Sequence, residues 1–273
     1  MTRRLLSLIT FVCIAATPEN AQKSKIQQPV SDVSYADLAD LADAASIVAE
    51  VKVKRAQKIK DKGQIAGQPA RFLIEADVLA LIRGREGLSP RIRYVTQSIP
   101  DVRGKFPKMD KAVMLIFAAP VADRPAEVQL VAPDAQLWWN EKMGADIRQI
   151  LRGLVAPGAP GRIKGIASAF HSPGALSGEG ETQIFVDTHD GAPMSLMVTR
   201  QQGQPPRWTA AYGDVVNPDA PPPAPNTIGW YRLACFLPDS FPADLLTDIA
   251  QDQTAAVQRD YTFARQSLGP CKR

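Results

Sequence analysis

The chain has 273 residues, of which 45% are hydrophobic and 22% are charged, a composition that excludes disorder over most of its length. A chain of this size buries enough apolar surface for one large or two modest domains without a structural metal. It contains two histidines, which leaves almost no room for a multi-histidine metal site, so the sequence predicts no metal and no cofactor.

Residues 1–21 follow the pattern of an export signal. Arg3 and Arg4 precede an apolar run from Leu5 to Ala16, and small and polar residues follow it. This order is typical of a cleaved signal peptide, and the run is too short for a permanent membrane span. We therefore predict a signal at 1–21, a polar tether at 22–33, and a periplasmic or secreted mature protein.

Cysteine usage supports the same compartment. Once the signal is removed, Cys235 and Cys271 are the cysteines that remain. Exported proteins mature in an oxidising environment, so the two are predicted to form a disulfide that fixes the carboxyl terminus to the body of the protein. The alternative is a buried free Cys235 beside a loose Cys271.

The first half of the chain predicts a β-rich unit at 34–136 that begins with a helix. Ser34 followed by Asp37 is a helix-capping pattern, and apolar residues continue it to Ala45. Alternating apolar residues predict strands, although a helix is the alternative for the segment after Arg71 because Ala, Leu and Glu favour helices. The predicted strands are Ser46–Arg55, a hairpin over Arg71–Val95 that turns at Gly84–Pro90, Ala112–Ala119 and Val128–Val131.

The order of these strands resembles a known class of small barrels. The run SIVAEVKV, then FLIEADVLALIRG, then a buried strand before Pro120 is similar to the OB-type barrels of exported netrin-like modules. The resemblance implies a barrel or a curled sheet. The chain lacks the amino-terminal cysteine by which inhibitors of that group engage metalloproteases, so no inhibitory site is implied.

The second half predicts an antiparallel β unit at 162–273, joined to the first unit by a helix and linker at 137–161. Asp190-Gly191 between two alternating runs predicts a tight hairpin in which both central residues have positive φ. The fold class is therefore α+β, with an OB-like barrel or curled sheet, an antiparallel sheet, a connecting helix and a C-terminal helix. The predicted elements are a helix at 137–155, strands at 162–170, 182–188, 193–200, 208–216 and 227–237, and a helix at 241–268.

Three stretches resemble an uncharacterised family of exported proteins from alphaproteobacteria. They are YADLADLADAA, GEGETQIFVDT and WYRLACFLP, and the likeness spans nearly the whole chain. The resemblance implies export and no particular activity.

Candidate catalytic residues are few. Asp187 and His189 share a strand face two residues apart, and a carboxylate beside an imidazole can orient a base. The alternative is the polar end of a strand entering a turn. The serines lack a G-x-S-x-G elbow, and Glu179 and Glu181 have the pattern of loop acids.

Positive charge is concentrated in the first third of the chain. Residues 46–110 hold 14 Lys and Arg against 7 Asp and Glu. Such a surface is either simply solvated or a binding face for an anionic polymer or lipid. Nucleic acid is not predicted as a partner, because stacking aromatic residues are scarce in this third. The basic residues on predicted strands are Lys52, Lys54, Arg91 and Arg93.

The export signal and the scarcity of catalytic motifs together predict a periplasmic or secreted, non-catalytic binding or envelope-associated module. Its partner is not identified by the sequence, and an envelope component is the class that export suggests. Two alternatives stay open: a hydrolase of envelope or extracellular substrates that uses Asp187 and His189, and a binder of anionic polymer or lipid that uses the basic first unit.

Overall fold

Two antiparallel sheets and four helices make up the part of the chain that the structure, a computed structural model, describes: residues 33–61, 65, 67–85, 87–213 and 216–273. The predicted signal and nearly all of the predicted tether lie outside these residues. The helices are α1 (Tyr35–Ala44), α2 (Glu141–Leu154), α3 (Ile228–Phe236) and α4 (Gln251–Leu268), with a 3₁₀ turn at Asp244–Asp248. The strands are β1 (Ile47–Lys58), β2 (Ala70–Arg83), β3 (Arg91–Ser98), β4 (Val113–Pro120), β5 (Val128–Leu130), β6 (Gln136–Trp138), β7 (Ile163–Pro173), β8 (Gly180–Thr188), β9 (Met194–Arg200) and β10 (Arg207–Tyr212).

Helix α1 begins at the predicted cap. The Ser34 hydroxyl accepts from the Asp37 N–H, and the Asp37 carboxylate accepts from the Ser34 N–H, each at 3.0 Å. This reciprocal pair satisfies two backbone donors at the start of the helix. The buried face of α1 then packs against α2, α3 and β4.

The first sheet is curled. Its strand order is β3-β2-β1-β4-β5, and β6 also pairs with β4. The two ends approach each other, because the Arg93 N–H on β3 donates to the Ala126 carbonyl at 2.8 Å and Arg93 forms a parallel bridge with Glu127. The predicted curled sheet and hairpin are confirmed, and the helix alternative for the segment after Arg71 is wrong.

The second sheet has the order β10-β9-β8-β7, and all its pairs are antiparallel. The hairpin between β8 and β9 is confirmed, but its predicted turn is wrong in detail. Gly191 has a φ of +72°, whereas Asp190 is not among the residues with positive φ. The loop from residue 189 to 193 is longer than a two-residue turn, so a single left-handed residue is enough.

The segment predicted as the last strand, residues 227–237, is helix α3. Seven consecutive residues from Ile228 to Ala234 are buried, so the helix is apolar on nearly every side. A helix buried all round has no period of 3.6 in its hydrophobicity and reads like a buried strand. The start signal is Thr227, whose hydroxyl accepts from the Trp230 N–H at 3.2 Å.

Two predicted helices begin later than expected. Residues 136–138 pair with β4 as β6, and α2 begins after Asn140, whose side chain accepts from the Met143 N–H at 2.8 Å. The predicted C-terminal helix is divided into the 3₁₀ turn at Asp244–Asp248 and α4, which begins at Gln251. The buried residues of both sheets and of the helices form one continuous core. The domain boundaries at 137 and 161 stay predictions.

The predicted disulfide between Cys235 and Cys271 is confirmed, with the two Cα atoms 5.1 Å apart. It joins the end of α3 to the segment after α4, and not a strand to a helix as predicted. The Trp230 indole N–H donates to the Leu268 carbonyl at 2.8 Å and holds the same two helices together. Among the described residues, no helix is both long and apolar enough to cross a membrane.

Candidate functional site

The predicted pair Asp187 and His189 lies at the exposed end of β8. In the part of the chain that the structure describes, no hydrogen bond joins the two side chains. The backbone N–H of His189 donates to the Arg162 carbonyl at 2.8 Å, and His189 is one of the residues that line a hollow of about 290 Å³ beside α1 and α3. The structure does not bring this pair together as a base and its orienting carboxylate, and the hydrolase alternative at these residues stays a prediction.

The hollow beside His189 is built around a buried ion pair. Arg232 donates through both Nη atoms to Asp43, at 2.8 and 2.9 Å, and its side chain is 5% exposed. Arg162 adds a contact of 2.7 Å between its Nε and Asp43 Oδ2. Burial opposes ionisation of Asp43, but the hydrogen bonds and charges of Arg232 and Arg162 outweigh it and hold the pKa of Asp43 below its ordinary value.

A second aspartate on α1 joins the same network. The Tyr231 hydroxyl donates to Asp40 at 2.6 Å, and the Arg273 Nε donates to Asp40 at 2.9 Å. Burial and the Asp40 carboxylate raise the pKa of Tyr231 above its ordinary value. Asp40 thereby ties α1 to α3 and to the carboxyl terminus, which is a structural use of these charges.

A second buried carboxylate, Asp260 on α4, holds the second sheet. It accepts from the Arg200 Nε and the Thr182 hydroxyl, each at 2.5 Å, and from the Arg259 Nε at 3.1 Å. Burial raises the pKa of Asp260, but the hydrogen bonds from Arg259, Thr182 and Arg200 outweigh this effect and lower it below 3.8.

Acid is expected to destabilise the fold through Asp260. Its pKa is lower in the folded protein than in the unfolded chain, so the ionised carboxylate stabilises the fold above about pH 4 and loses this effect as the pH falls through the folded pKa. Urea unfolding of the wild type and of Asp260→Asn should therefore show a gap in stability near pH 7 that shrinks towards about pH 2.5. A gap that is independent of pH would contradict this linkage.

The predicted basic residues form an exposed ladder on the first sheet. Asp77 on β2 lies between Lys54 on β1, at 3.3 Å, and Arg91 on β3, at 2.9 Å. Arg93 pairs with Glu127 at 2.9 Å, and Lys52 is exposed on β1. Three of the four basic side chains therefore already have a carboxylate partner, which favours a solvated surface over an anion-binding face.

A cleft of about 1030 Å³ lies at one end of the first sheet, and we call it the arginine cleft. Its floor is Ile47 and Val128, and its walls are the β2–β3 turn, the β4–β5 turn and Val155 after α2. A hollow of about 450 Å³ that contains Leu81, Leu151 and Arg152 adjoins it, because Arg83 and Val155 line both.

The arginine cleft combines apolar walls with positive charge. Among the described residues that line the cleft and its hollow, arginines outnumber carboxylates: they are Arg83, Arg85, Arg124, Arg148 and Arg152, with Asp123 and Glu127. Among the described residues, neither the Arg85 side chain nor the Arg152 side chain has an ion pair or a hydrogen bond. Val155, which lines both the cleft and the hollow, is 72% exposed and adds apolar surface to a concave surface of the kind that binds small molecules.

Sequence reasoning missed the arginine cleft because its walls come from separate turns. The turns GREGLSP and PVADRP each carry one arginine among Gly and Pro, which is the available signal, but only the folded sheet brings them together. The chain matches no protein-family model and no curated protein. Among the described residues, no group of three or more His, Cys, Asp or Glu is arranged to hold a metal ion.

Proposed function

We propose that this chain is an exported binding protein whose arginine cleft holds an anionic amphiphile without altering it chemically. The observation that carries the proposal is the pairing of apolar walls with two arginines, Arg85 and Arg152, that have no partner among the described residues. The volume of the cleft is close to the upper end of the range of small-molecule sites in proteins.

The side chains that line the cleft limit the chemical classes of ligand that it can bind. The apolar floor and Val155 favour an acyl chain or a similar apolar body, because its transfer from water is favourable by roughly 25 cal/mol per Å². The guanidinium groups of Arg85 and Arg152, which have no ion pair among the described residues, favour a carboxylate or phosphate head group, to which arginine donates two parallel hydrogen bonds. Single-chain carboxylates and phosphates satisfy both requirements.

Export is supported by the disulfide between Cys235 and Cys271, since structural disulfides persist in oxidising compartments. The predicted signal at 1–21 would direct the chain to the periplasm or the medium. An envelope-derived amphiphile is then the partner class that both the compartment and the cleft favour.

Decanoate is expected to bind the arginine cleft more tightly than 1-decanol, which has the same chain length and no charge. Arg85→Glu should weaken decanoate binding about fivefold, which corresponds to a loss of roughly 1 kcal/mol of binding free energy. Val155→Asp should weaken the binding of both ligands. Isothermal titration calorimetry measures these affinities, and the preference for decanoate should shrink as salt is added.

Lys52→Glu is the matched control, because it makes the same change of charge on the exposed ladder of the first sheet. It should leave decanoate binding unchanged. Weakening by Lys52→Glu but not by Arg85→Glu would overturn the proposal and favour the ladder as an anion-binding face. Sedimentation with phosphatidylglycerol vesicles, without any binding of free decanoate, would also overturn it and indicate a membrane surface as the ligand.

A further inference from the structure

The loop between β3 and β4, residues 99–112, lies at one end of the first sheet, and we call it the tip loop. The segment between β1 and β2, residues 59–69, lies beside it, because Ala70 pairs with Ser98 where the two connections begin. Ile65 from that segment and Pro100 and Phe106 from the tip loop line one hollow. The two connections therefore form one continuous surface.

The tip loop exposes large apolar side chains. Val102 is the most exposed of these among the described residues, at 104% of its reference area, and Ile99 is 70% exposed. Ile65 on the neighbouring segment is also exposed. A group of exposed apolar side chains, unlike a single one, marks a surface that contacts a partner.

A hydrogen-bonded turn fixes Val102 and Arg103 at the end of the tip loop. The Asp101 carbonyl accepts from the Gly104 N–H at 2.8 Å, so Val102 and Arg103 occupy the two middle positions of the turn. The Asp101 carboxylate accepts from the N–H groups of Arg103 and Lys105, at 2.9 and 2.8 Å. Gly104 has a φ of +75°, which a residue with a side chain rarely adopts.

An aromatic contact anchors the tip loop to the sheet. The Phe106 ring packs edge-on against Phe72 of β2, with the ring centroids 5.3 Å apart. The Lys58 Nζ atom lies 4.6 Å from the centroid of the Phe106 ring. These contacts hold the start and the middle of the loop against β1 and β2, and leave the turn at Val102 exposed.

Basic side chains surround the apolar ones. Residues 59–69 and 99–112 together hold six Lys and Arg against three Asp. Lys60, Arg103, Lys105 and Lys108 are exposed, and none of these four side chains has an ion pair or a hydrogen bond among the described residues. They are therefore available to an anionic partner.

The three carboxylates of the same surface already have partners within the chain. Asp61 pairs with Arg71 at 3.4 Å, and Asp101 accepts from two backbone N–H groups of its own turn. Asp110 accepts from the Ala56 N–H at 3.2 Å. The basic side chains of the tip loop are thus not neutralised by these acids.

A membrane surface fits this pattern better than a protein partner. Protein interfaces centre on Trp, Tyr or Arg anchors that fill a pocket, whereas the tip loop exposes short aliphatic side chains on a protruding turn. The head-group region of a bilayer accepts such side chains, and lysines and arginines beside them are attracted to anionic lipids.

We propose that the tip loop docks this chain on membranes that contain anionic phospholipid. Ile99 and Val102 enter the head-group region, and the ammonium and guanidinium groups of the loop bind lipid phosphates. The tip loop and the arginine cleft lie at opposite ends of the first sheet, because β2 begins beside the tip loop and ends at Arg83 in the cleft. Docking therefore leaves the cleft in water, and it is a separate property from amphiphile binding.

Sedimentation with vesicles measures docking. The wild type should sediment with vesicles of equal parts phosphatidylglycerol and phosphatidylcholine, and should bind pure phosphatidylcholine vesicles far more weakly. Added salt should release it, because salt screens exposed charges. Every variant below keeps residues 1–21, so a difference between variants does not come from the predicted signal.

The charge of the tip loop is tested by Arg103→Glu with Lys105→Glu. This double variant should bind the anionic vesicles at least about 30-fold more weakly, since two basic groups near the lipid surface are lost. The matched control is Lys164→Glu with Arg207→Glu, which makes the same change of charge at exposed positions of the second sheet. It should bind the vesicles as the wild type does.

The apolar part of the tip loop is tested by Ile99→Asn with Val102→Asn, which changes no charge. Vesicle binding should weaken about tenfold, because less apolar surface leaves water. The matched control is Leu79→Asn with Leu176→Asn, which removes two exposed leucines elsewhere and should bind fully. A loss in the charge variant beside full binding in Ile99→Asn with Val102→Asn would overturn docking on a bilayer and indicate a soluble polyanion.

Two further results would overturn the proposal: a wild type that does not sediment with the anionic vesicles, or a control variant that loses as much binding as its partner. All four double variants should bind decanoate as the wild type does, which shows that they are folded. Vesicle binding without decanoate binding would support the tip loop and contradict the arginine cleft. Decanoate binding without vesicle binding would do the reverse.

Discussion

Replacing Asp43 by alanine is expected to lower the free energy of unfolding by about 3 kcal/mol. Arg232, whose side chain is 5% exposed, would lose its bidentate partner, and among the described residues it would keep one side-chain hydrogen bond, of 3.4 Å, from its Nε to the Pro160 carbonyl. A buried guanidinium without a carboxylate has little water to replace the lost contacts. Urea denaturation at neutral pH measures the loss.

The control for Asp43→Ala is Asp77→Ala. Asp77 also has two cationic partners, Lys54 and Arg91, but these side chains are 53% and 67% exposed. Exposed ion pairs contribute little to stability, so Asp77→Ala should change the unfolding midpoint only slightly. A double variant, Asp43→Ala with Arg232→Met, should recover much of the loss, because it removes the buried charge together with its partner. Equal losses from Asp43→Ala and Asp77→Ala would contradict the argument.

The sheets could be predicted because one face of each strand is buried. Along β2, Phe72, Ile74 and Ala76 are buried while their neighbours are more exposed, and this alternation is visible in the sequence. Helix α1 could be predicted equally well, since the cap at Ser34 and Asp37 is a local signal in the sequence. In both cases the structure follows from residues close together in the chain.

The prediction for α3 was wrong because burial on every side erases the periodicity that separates helix from strand. The ion pairs that fix α3 were also beyond sequence reasoning: Asp43 and Arg232 are 189 residues apart. Asp260 and Thr182 are 78 residues apart, and neither was a candidate. Charged residues are usually solvated, so nothing local marks the few that the fold buries.

The predicted pair Asp187 and His189 illustrates the same limit. Two residues apart on a strand share a face, but which face, and what lies over it, depends on the rest of the fold. His171 reaches a carboxylate through Thr182 on the next strand and Asp260 on a distant helix, whereas Asp187 is exposed. Among the described residues, the histidine that hydrogen bonds connect to a buried carboxylate is therefore His171, which the local pattern did not single out.

Loss of the disulfide is expected to cost about 3 to 4 kcal/mol, because the bridge closes a loop of 36 residues in the unfolded chain. Cys235→Ser with Cys271→Ser removes it, and thermal or urea unfolding measures the change. The effect should concentrate at the end of α4, where packing and the hydrogen bond from the Trp230 indole to the Leu268 carbonyl still hold α4 to α3. Amide hydrogen exchange should therefore quicken first in the last turn of α4.

Adding a reductant distinguishes the effect of losing the disulfide from the effect of replacing the two cysteine side chains. It should destabilise the wild type by about the same 3 to 4 kcal/mol and leave the double serine variant unchanged, because that variant has no bridge to lose. Cys235→Ser alone should behave like the double variant, since Cys271 then has no partner to bond with in the body of the protein. A wild type whose stability is indifferent to reductant would show that the ends of α3 and α4 are held by packing and by the Trp230 hydrogen bond alone.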